Sequence, residues 1–281
     1  MHFVDIDLKY CELKQYLLSL EIIQMSTSSF TRLLLAHWGV SVKDIPTSDL
    51  EQKKEADFIA SFGESTVLIE EKTKEDDPEY LNLRAIELER GDIHSATLPM
   101  IRNETISKIV SSASRQLKSS SNLSHDFKLM WFTATGVTAQ AKYEQFMATL
   151  YGRTNILEMN ADGFRRCYYF RYADFFRRAL VIDGAVAAYT DGRSISAKLC
   201  LNPLSPRYES LKNSDVIKFF GTAVEDPIEL EQAGTAFILD CDLSRKDEAP
   251  LLEYLRLKYK TAPLMNFDMG HTNISMLFPK D

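Results

Sequence analysis

Three side chains in one short stretch carry the chemistry this sequence offers: Asp57, Glu70 and Lys72, within EADFIASFGESTVLIEEKTK, residues 55–74. Two apolar runs flank Gly63, and each has an acid at its polar end. A two-residue turn at Gly63-Glu64, with Gly in the first central position as a type II′ turn requires, pairs Phe62 with Ser65. Counting back along both strands sets Asp57 opposite Glu70, where cross-strand Cβ atoms lie roughly 4.5–5.5 Å apart. Side chains alternate faces along a strand, so Glu70 and Lys72 point one way and Ile69 and Glu71 the other. Two carboxylates and an amine then converge, a set that suits phosphodiester hydrolysis. Mg²⁺ (or Mn²⁺ in its place) takes one or two carboxylates, keeps several waters and completes its shell with substrate phosphate, so Asp57 and Glu70 are the expected metal ligands. An ion there lowers the pKa of an attacking water and offsets phosphate charge, and Lys72 is placed to orient that water or stabilise the transition state.

The elements around the hairpin must hold it in place. Residues 26–38 read as a helix, with Ser and Thr available as N-caps, Phe30, Leu33, Leu34 and His37 at helical spacing, and Gly39 as a stop. Residues 40–45 follow as a short strand ahead of Pro46. Residues 104–118 read as a helix capped by Asn103, with Ile106, Ile109, Val110, Ala113 and Leu117 on one face. Gln116 lies at the border of that stripe, on the side from which it can reach the acids, while Lys108 and Arg115 lie opposite. The run FKLMWFT, residues 127–133, is too apolar for an exposed edge and reads as an interior strand.

With Asp57 and Glu70-Glu71-Lys72 in this setting, the chain resembles the PD-(D/E)XK nucleases, the restriction-endonuclease-like superfamily. Ala-Asp-Phe-Ile-Ala followed by Thr-Val-Leu-Ile-Glu-Glu-Lys-Thr-Lys is most similar to resolvase-like and Mrr-like members. The resemblance covers about residues 26–133 and implies a core of helix, three strands, helix and strand, with Asp57, Glu70 and Lys72 catalytic. It also implies an auxiliary active-site role for Gln116, since many relatives carry Gln or Lys on that helix. Three departures stand out: Ala56 replaces the Pro of the motif's name, residues 75–103 form a long insertion, and residues 26–38 contain no Glu. Glu12 and Glu21 lie farther upstream and replace that acid only if the first helix spans 7–25. Glu70 to Asp77 also reads as a charge run at a solvated strand end. The ordered elements around it favour the site.

Composition narrows the remaining classes. At 281 residues and 45% hydrophobic content the chain can bury a sizeable core. No apolar stretch reaches the roughly 18–20 residues of a membrane span, and the N-terminus lacks a signal peptide's charged and apolar regions, so a cytoplasmic protein with no membrane partner is expected. Cys11, Cys167, Cys200 and Cys241 are scattered, which points to reduced thiols and away from zinc or a disulfide framework. A net charge of −7 argues against a nonspecific nucleic-acid coat. Locally, GFRRCYYFRYADFFRR, residues 163–178, sets five arginines among Tyr and Phe. Arg165 and Arg166 are its expected nucleic-acid contacts, with Phe170, Tyr172, Phe175 and Phe176 read more readily as core under Arg stems.

The second half reads as a helix at 139–150, strands at 154–158 and 167–171, a hairpin at 185–201 turning at Asp191-Gly192, buried strands at 216–220 and 236–239, and a helix at 248–259 with Leu251, Leu252, Leu255 and Tyr259 on one face. Asp240 and Asp242 form a rival acid pair there, but no Gly-rich phosphate cradle follows them; Asp268 and His271 are less specific still. The expected fold is mixed α/β (α+β), with a restriction-endonuclease-like core at 1–135, a central mixed sheet flanked by helices, and an α+β extension at 136–281 packed on the core or forming a second domain. The expected function is a divalent-metal-dependent nuclease, a DNA endonuclease of restriction, repair or defence type. A homodimer would supply the second cut of a duplex. The alternative is a catalytically silent nuclease-fold protein that binds nucleic acid or a protein partner.

Overall fold

The computed structural model describes residues 29–46, 55–190, 195–268 and 270–276. Glu12, Glu21, Cys11 and the turn at Asp191-Gly192 lie outside the described residues. Helix α1 (Phe30–His37) begins at Ser29, whose side chain accepts from the Arg32 amide at 3.4 Å. After Gly39 the chain enters β1 (Ser41–Asp44), which is antiparallel to β2 (Phe58–Phe62), itself antiparallel to β3 (Ser65–Lys74). Phe62 pairs with Ser65 as counted. Gly63 has a φ of +60° and Glu64 does not share it, the combination a type II′ turn requires. The turn is also crowded: a Cβ on Gly63 would lie 2.5 Å from Asp215 Oδ2, the atom that accepts from the Glu64 amide.

The long insertion folds into α2 (Pro78–Glu89) and β4 (His94–Pro99). Then α3 (Glu104–Ser119) starts where Asn103 accepts from the amides of Thr105 and Ile106, and it leads into β5 (Phe127–Thr135), parallel to β3. Helix α4 (Ala139–Tyr151), β6 (Thr154–Glu158), β7 (Phe164–Tyr168) and the short α5 (Asp174–Arg177) follow. The chain continues through β8 (Gly184–Thr190), β9 (Ile195–Leu201), α6 (Tyr208–Lys212), α7 (Asp215–Phe220), β10 (Val224–Glu225) and α8 (Pro227–Gln232). It ends in β11 (Ala236–Ile238), α9 (Glu248–Tyr259), β12 (Leu264–Asn266) and β13 (His271–Met276).

These strands make a central mixed sheet of seven in the order β1-β2-β3-β5-β8-β9-β10, a sheet of four in the order β11-β7-β6-β12, and the pair β13-β4. The architecture is the expected mixed α/β, a central sheet between helices. Because side chains alternate along each strand, the central sheet builds two cores. Leu68, Met130 and Phe132 pack with Ile106, Val110 and Phe146 of α3 and α4 on one face. Val67, Ile69 and Trp131 pack with Leu34, Val216 and Phe220 of α1 and α7 on the other. The sheet runs on past residue 135, since β8 adds in parallel beside β5.

Three sequence readings are corrected. Residues 216–220 form the helix α7, because burial falls on Val216 and Phe220, four apart, while Lys218 between them projects into solvent. The strand read at 167–171 is Phe164–Tyr168; it stops because Tyr169 adopts a φ of +63° and turns the chain, donating its amide to Tyr151 O at 2.8 Å. Phe170 and Phe175 are fully buried, whereas Tyr172 and Phe176 are 43% and 68% exposed.

Phe132 stacks on Phe146 with ring centroids 4.2 Å apart, joining β5 to α4 at the centre of the first core. Replacing Phe132 with Ala should cost about 3–5 kcal/mol, read as a shift of the urea midpoint with the m-value unchanged. A loss under about 1 kcal/mol would contradict the stacking described.

Candidate active site

The expected convergence of acids and amine can be followed atom by atom. Asp57 sits one residue before β2 and is held from both sides: its amide donates to Ile69 O at 3.1 Å and its carbonyl accepts from the Ile45 amide at 3.2 Å. Continuing the register from Phe58 paired with Ile69 sets Asp57 across from Glu70. The Asp57 carboxylate is itself fixed, since Oδ2 accepts from the Glu71 amide at 2.7 Å. The Glu71 side chain goes to the opposite face, where Thr31 of α1 donates to it. Glu70 stays on the α3 face and is fully buried.

Lys72 bonds Glu70 Oε1, its own side chain still 26% exposed, so the ammonium stands between the buried acid and solvent. Glu70 Oε2 has no hydrogen-bond partner. Burial is the main force on this carboxyl and pushes it up; the bond from Lys72 pulls it down and the charge of Asp57 pushes it up again, leaving it at about 8. A carboxyl poised there takes up or releases a proton near neutrality, and it welcomes a cation that restores its charge.

Helix α3 positions the entry to this pair. Gln116 Nε2 donates to Glu55 O at 3.2 Å, and Gln116 Oε1 accepts from Ser112 at 3.4 Å. Ser120, just past the helix, accepts from the Ala56 amide at 2.9 Å. Gln116 therefore acts on the backbone just ahead of Asp57. Sequence reading missed Ser120, whose signal was its place one turn after Gln116. It also missed Asp76, which ties the end of β3 to α4 by accepting from the Val137 amide at 2.7 Å and from Lys142 Nζ at 2.5 Å.

The remaining candidates lie apart from this centre. Arg165 and Arg166 are on β7 of the four-stranded sheet; Arg165 pairs with Glu158 and lies 3.9 Å over the Phe237 ring, and Arg166 meets Glu225 at 3.2 Å. Asp240 accepts from Tyr254 at 2.7 Å and pairs with Lys258 at 2.9 Å; Asp268 pairs with Arg171 at 3.2 Å. Cys167 and Cys200 are buried free thiols, Cys241 a half-buried one. Among the described residues, no group of three or more His, Cys, Asp or Glu gathers for a metal ion. The donor set at β2–β3 is thus two carboxylates, one holding an unpartnered buried oxygen. That fits an ion such as Mg²⁺, which fills its other positions with water and substrate oxygen.

Set against models of protein families, curated proteins and solved structures, the chain has no significant match in any of the three.

A buried carboxyl with a raised pKa ties stability to pH. Between about 4.5, its ordinary value, and about 8, the folded state holds more protons than the unfolded state, so Glu70 makes stability fall as pH rises through that window. Glu70→Gln removes the titration. Urea titrations across the window should show the Gln variant gaining on the parent steadily with pH; a pH-independent difference would rule out the raised pKa.

Proposed function

We propose that this chain is a divalent-metal-dependent nuclease that hydrolyses phosphodiester bonds, with Asp57, Glu70 and Lys72 as its catalytic residues. The observation that carries the reading is the fully buried Glu70 with an unpartnered oxygen, in register with Asp57 and bonded by Lys72. Asp174 also has buried oxygens without hydrogen bonds, but its neighbours are arginines; beside Glu70 stands a second carboxylate, and a cation is the partner that two facing carboxylates accept. Support for the reading comes from the order α1, three antiparallel strands, α3 and a parallel β5, with α2 and β4 inserted ahead of α3, which is like a restriction-endonuclease-like core. On that likeness the substrate is DNA and the reaction endonucleolytic, of restriction, repair or defence type.

Asp57 and Glu70 would hold Mg²⁺ or Mn²⁺, which supplies an activated water and charge stabilisation at the phosphate when bound. Asp57 is preorganised by the Glu71 amide, so its carboxylate keeps one orientation without reorganising during reaction. Lys72, reaching from buried Glu70 toward solvent, donates hydrogen bonds to an attacking water or a phosphate oxygen. Gln116 and Ser120 hold residues 55–56 and so keep Asp57 in place. Among the described residues no helix is long and apolar enough to cross a membrane. The cytoplasm is the proposed location, and a homodimer would bring a second centre to the other strand.

A second reading, a silent nuclease-fold protein that binds nucleic acid or a protein, is favoured by the two-carboxylate donor set and the net charge of −7. Cleavage assays separate the two. The parent chain should cut DNA with Mg²⁺ or Mn²⁺ and stop in EDTA, while Asp57→Ala, Glu70→Ala and Lys72→Ala, each folded by circular dichroism, should lose roughly 10²–10³-fold. Unchanged cutting by those variants would remove the site.

Metal binding has its own readout. Mn²⁺ at about 100 times its Kd should stabilise the parent by about 2.7 kcal/mol, a Tm rise of roughly 5 °C or more. Glu70→Gln should show almost none of it. An equal rise in both proteins would place the ion elsewhere.

A further inference from the structure

Past Tyr169 the segment 170–178 splits its aromatic side chains between the core and the surface. Asp174 and Phe175 turn inward and are buried, while Tyr172 and Phe176 remain at the surface. They form one wall of a cleft of about 270 Å³, with Arg177 beside them and Asp242, Leu243 and Arg245 opposite. Exposed aromatic rings beside a cation offer base-stacking faces and a phosphate partner together.

The arginines of this region are not equivalent. Arg171 is committed to Glu248 at 2.6 Å and Asp268 at 3.2 Å, and Arg178 to Asp174 at 3.5 Å. Arg245 is spent on backbone, donating to the carbonyls of Tyr169 and Cys241 at 2.8 Å each. Arg177 is exposed, lies 5.5 Å over the Tyr172 ring, and has no carboxylate partner among the described residues. The lining holds three arginines and one acid, Asp242, on a chain of net charge −7. The positive charge left for a ligand sits on Arg177, against the aromatic wall.

Position adds a second argument. Arg102, just ahead of α3, donates to Tyr172 O at 3.0 Å, and Gln116 near the other end of that helix donates to Glu55 O. At about 1.5 Å per residue the helix sets these two contacts about 20 Å apart along its axis. Helix α3 thus ties the backbone of the cleft wall to the residues just ahead of Asp57.

We propose that this cleft takes an unpaired nucleotide of a single-stranded nucleic acid, its base stacked on Tyr172 and Phe176 and its phosphate on Arg177. The class of ligand rests on the nuclease reading; the cleft deepens it by assigning where a strand is gripped away from the scissile bond. Arg165 and Arg166, already paired to Glu158 and Glu225, are not needed for that grip.

The test is fluorescence anisotropy of the full chain with a labelled oligothymidylate, in EDTA, at several salt concentrations. Phe176→Ala should weaken binding on the order of tenfold, the loss of one base stack. Arg177→Ala should weaken it and lower the slope of log affinity against log salt by about 0.7, one single-strand phosphate contact. Phe176→Trp should keep parental affinity, and its indole should be quenched by the oligonucleotide beyond any change at Trp38 and Trp131. Both exposed positions should tolerate substitution, checked by unchanged thermal unfolding. Parental affinity and salt slope in the Ala variants, no binding by the parent, or inorganic phosphate competing as well as the oligonucleotide would each overturn the assignment. Cleavage with Mn²⁺ is measured separately. Cutting without any effect of the cleft variants on binding sinks the cleft alone, while cleft-dependent binding without cutting leaves the cleft standing and sinks the nuclease reading.

Discussion

The constraint on which the rest of this structure depends is the burial of Glu70 in the middle of an interior strand. β3 has β2 on one side and β5 on the other, with α3 over the face that Glu70 occupies. Taking a carboxylate out of water costs several kcal/mol unless it is paired or protonated. Here one oxygen meets Lys72 and the other meets nothing, so the group sits at about 8 and not in the usual carboxylate range. The hairpin register then determines what shares that space, because a slip of one residue would turn Glu70 and Lys72 to the α1 face and bring Glu71 in. Gly63 guards the register: its φ of +60° strains any side chain, and a Cβ there would displace the Asp215 carboxylate that accepts from the Glu64 amide.

Other buried acids in the same molecule are met by cations: Asp174 lacks hydrogen bonds on both oxygens yet lies between Arg102 and Arg178 at 3.9 and 3.5 Å. Asp76, at the far end of β3, is also pushed up by burial, yet Lys142, Thr138 and the Val137 amide hold it below its ordinary value. Glu225 is opposed by burial as well, but Arg166, Lys198 and Arg153 draw it down to about 2. Both acids are structural links whose demands the chain meets from within. Glu70 faces a neighbouring acid and a single amine, so its demand is left unmet inside the protein, with Lys72 between it and solvent.

What could be read from the sequence follows from the range of the forces involved. The hairpin and its register were legible because a glycine turn and strict alternation are local. Asn103 and the stripe of α3 were legible for the same reason. Val216 to Phe220 was not, since a short apolar run has no period long enough to separate strand from helix. The fate of the arginine-rich segment was also out of reach. Arg166 finds Glu225 on a strand of the other sheet, 59 residues away, and which of Phe175 and Phe176 turns inward depends on a four-residue helix. Gln116 bonds the backbone of Glu55, two residues ahead of Asp57, and not a carboxylate. Side-chain direction along a helix follows from spacing; the atom finally bonded depends on tertiary fit.

The second half of the chain is part of the site's physical basis, although it contributes none of the three central residues. β5, which lies beside β3, carries Met130, Trp131 and Phe132, all fully buried. If the sheet ended there, β5 would be a long apolar edge strand with unpaired backbone groups, the kind of edge natural proteins avoid. β8 covers it in parallel pairing from Leu129 to Thr135, and β9 and β10 then carry the sheet outward, where Glu225 is held by cations from three other strands and loops. Trp131 is packed from the other face by Phe220 of α7 and Trp38 after α1, which joins the two halves through one aromatic cluster. The burial that raises Glu70 is therefore a property of the whole sheet: the strand carrying the acids is interior because residues beyond 135 make its neighbour interior too.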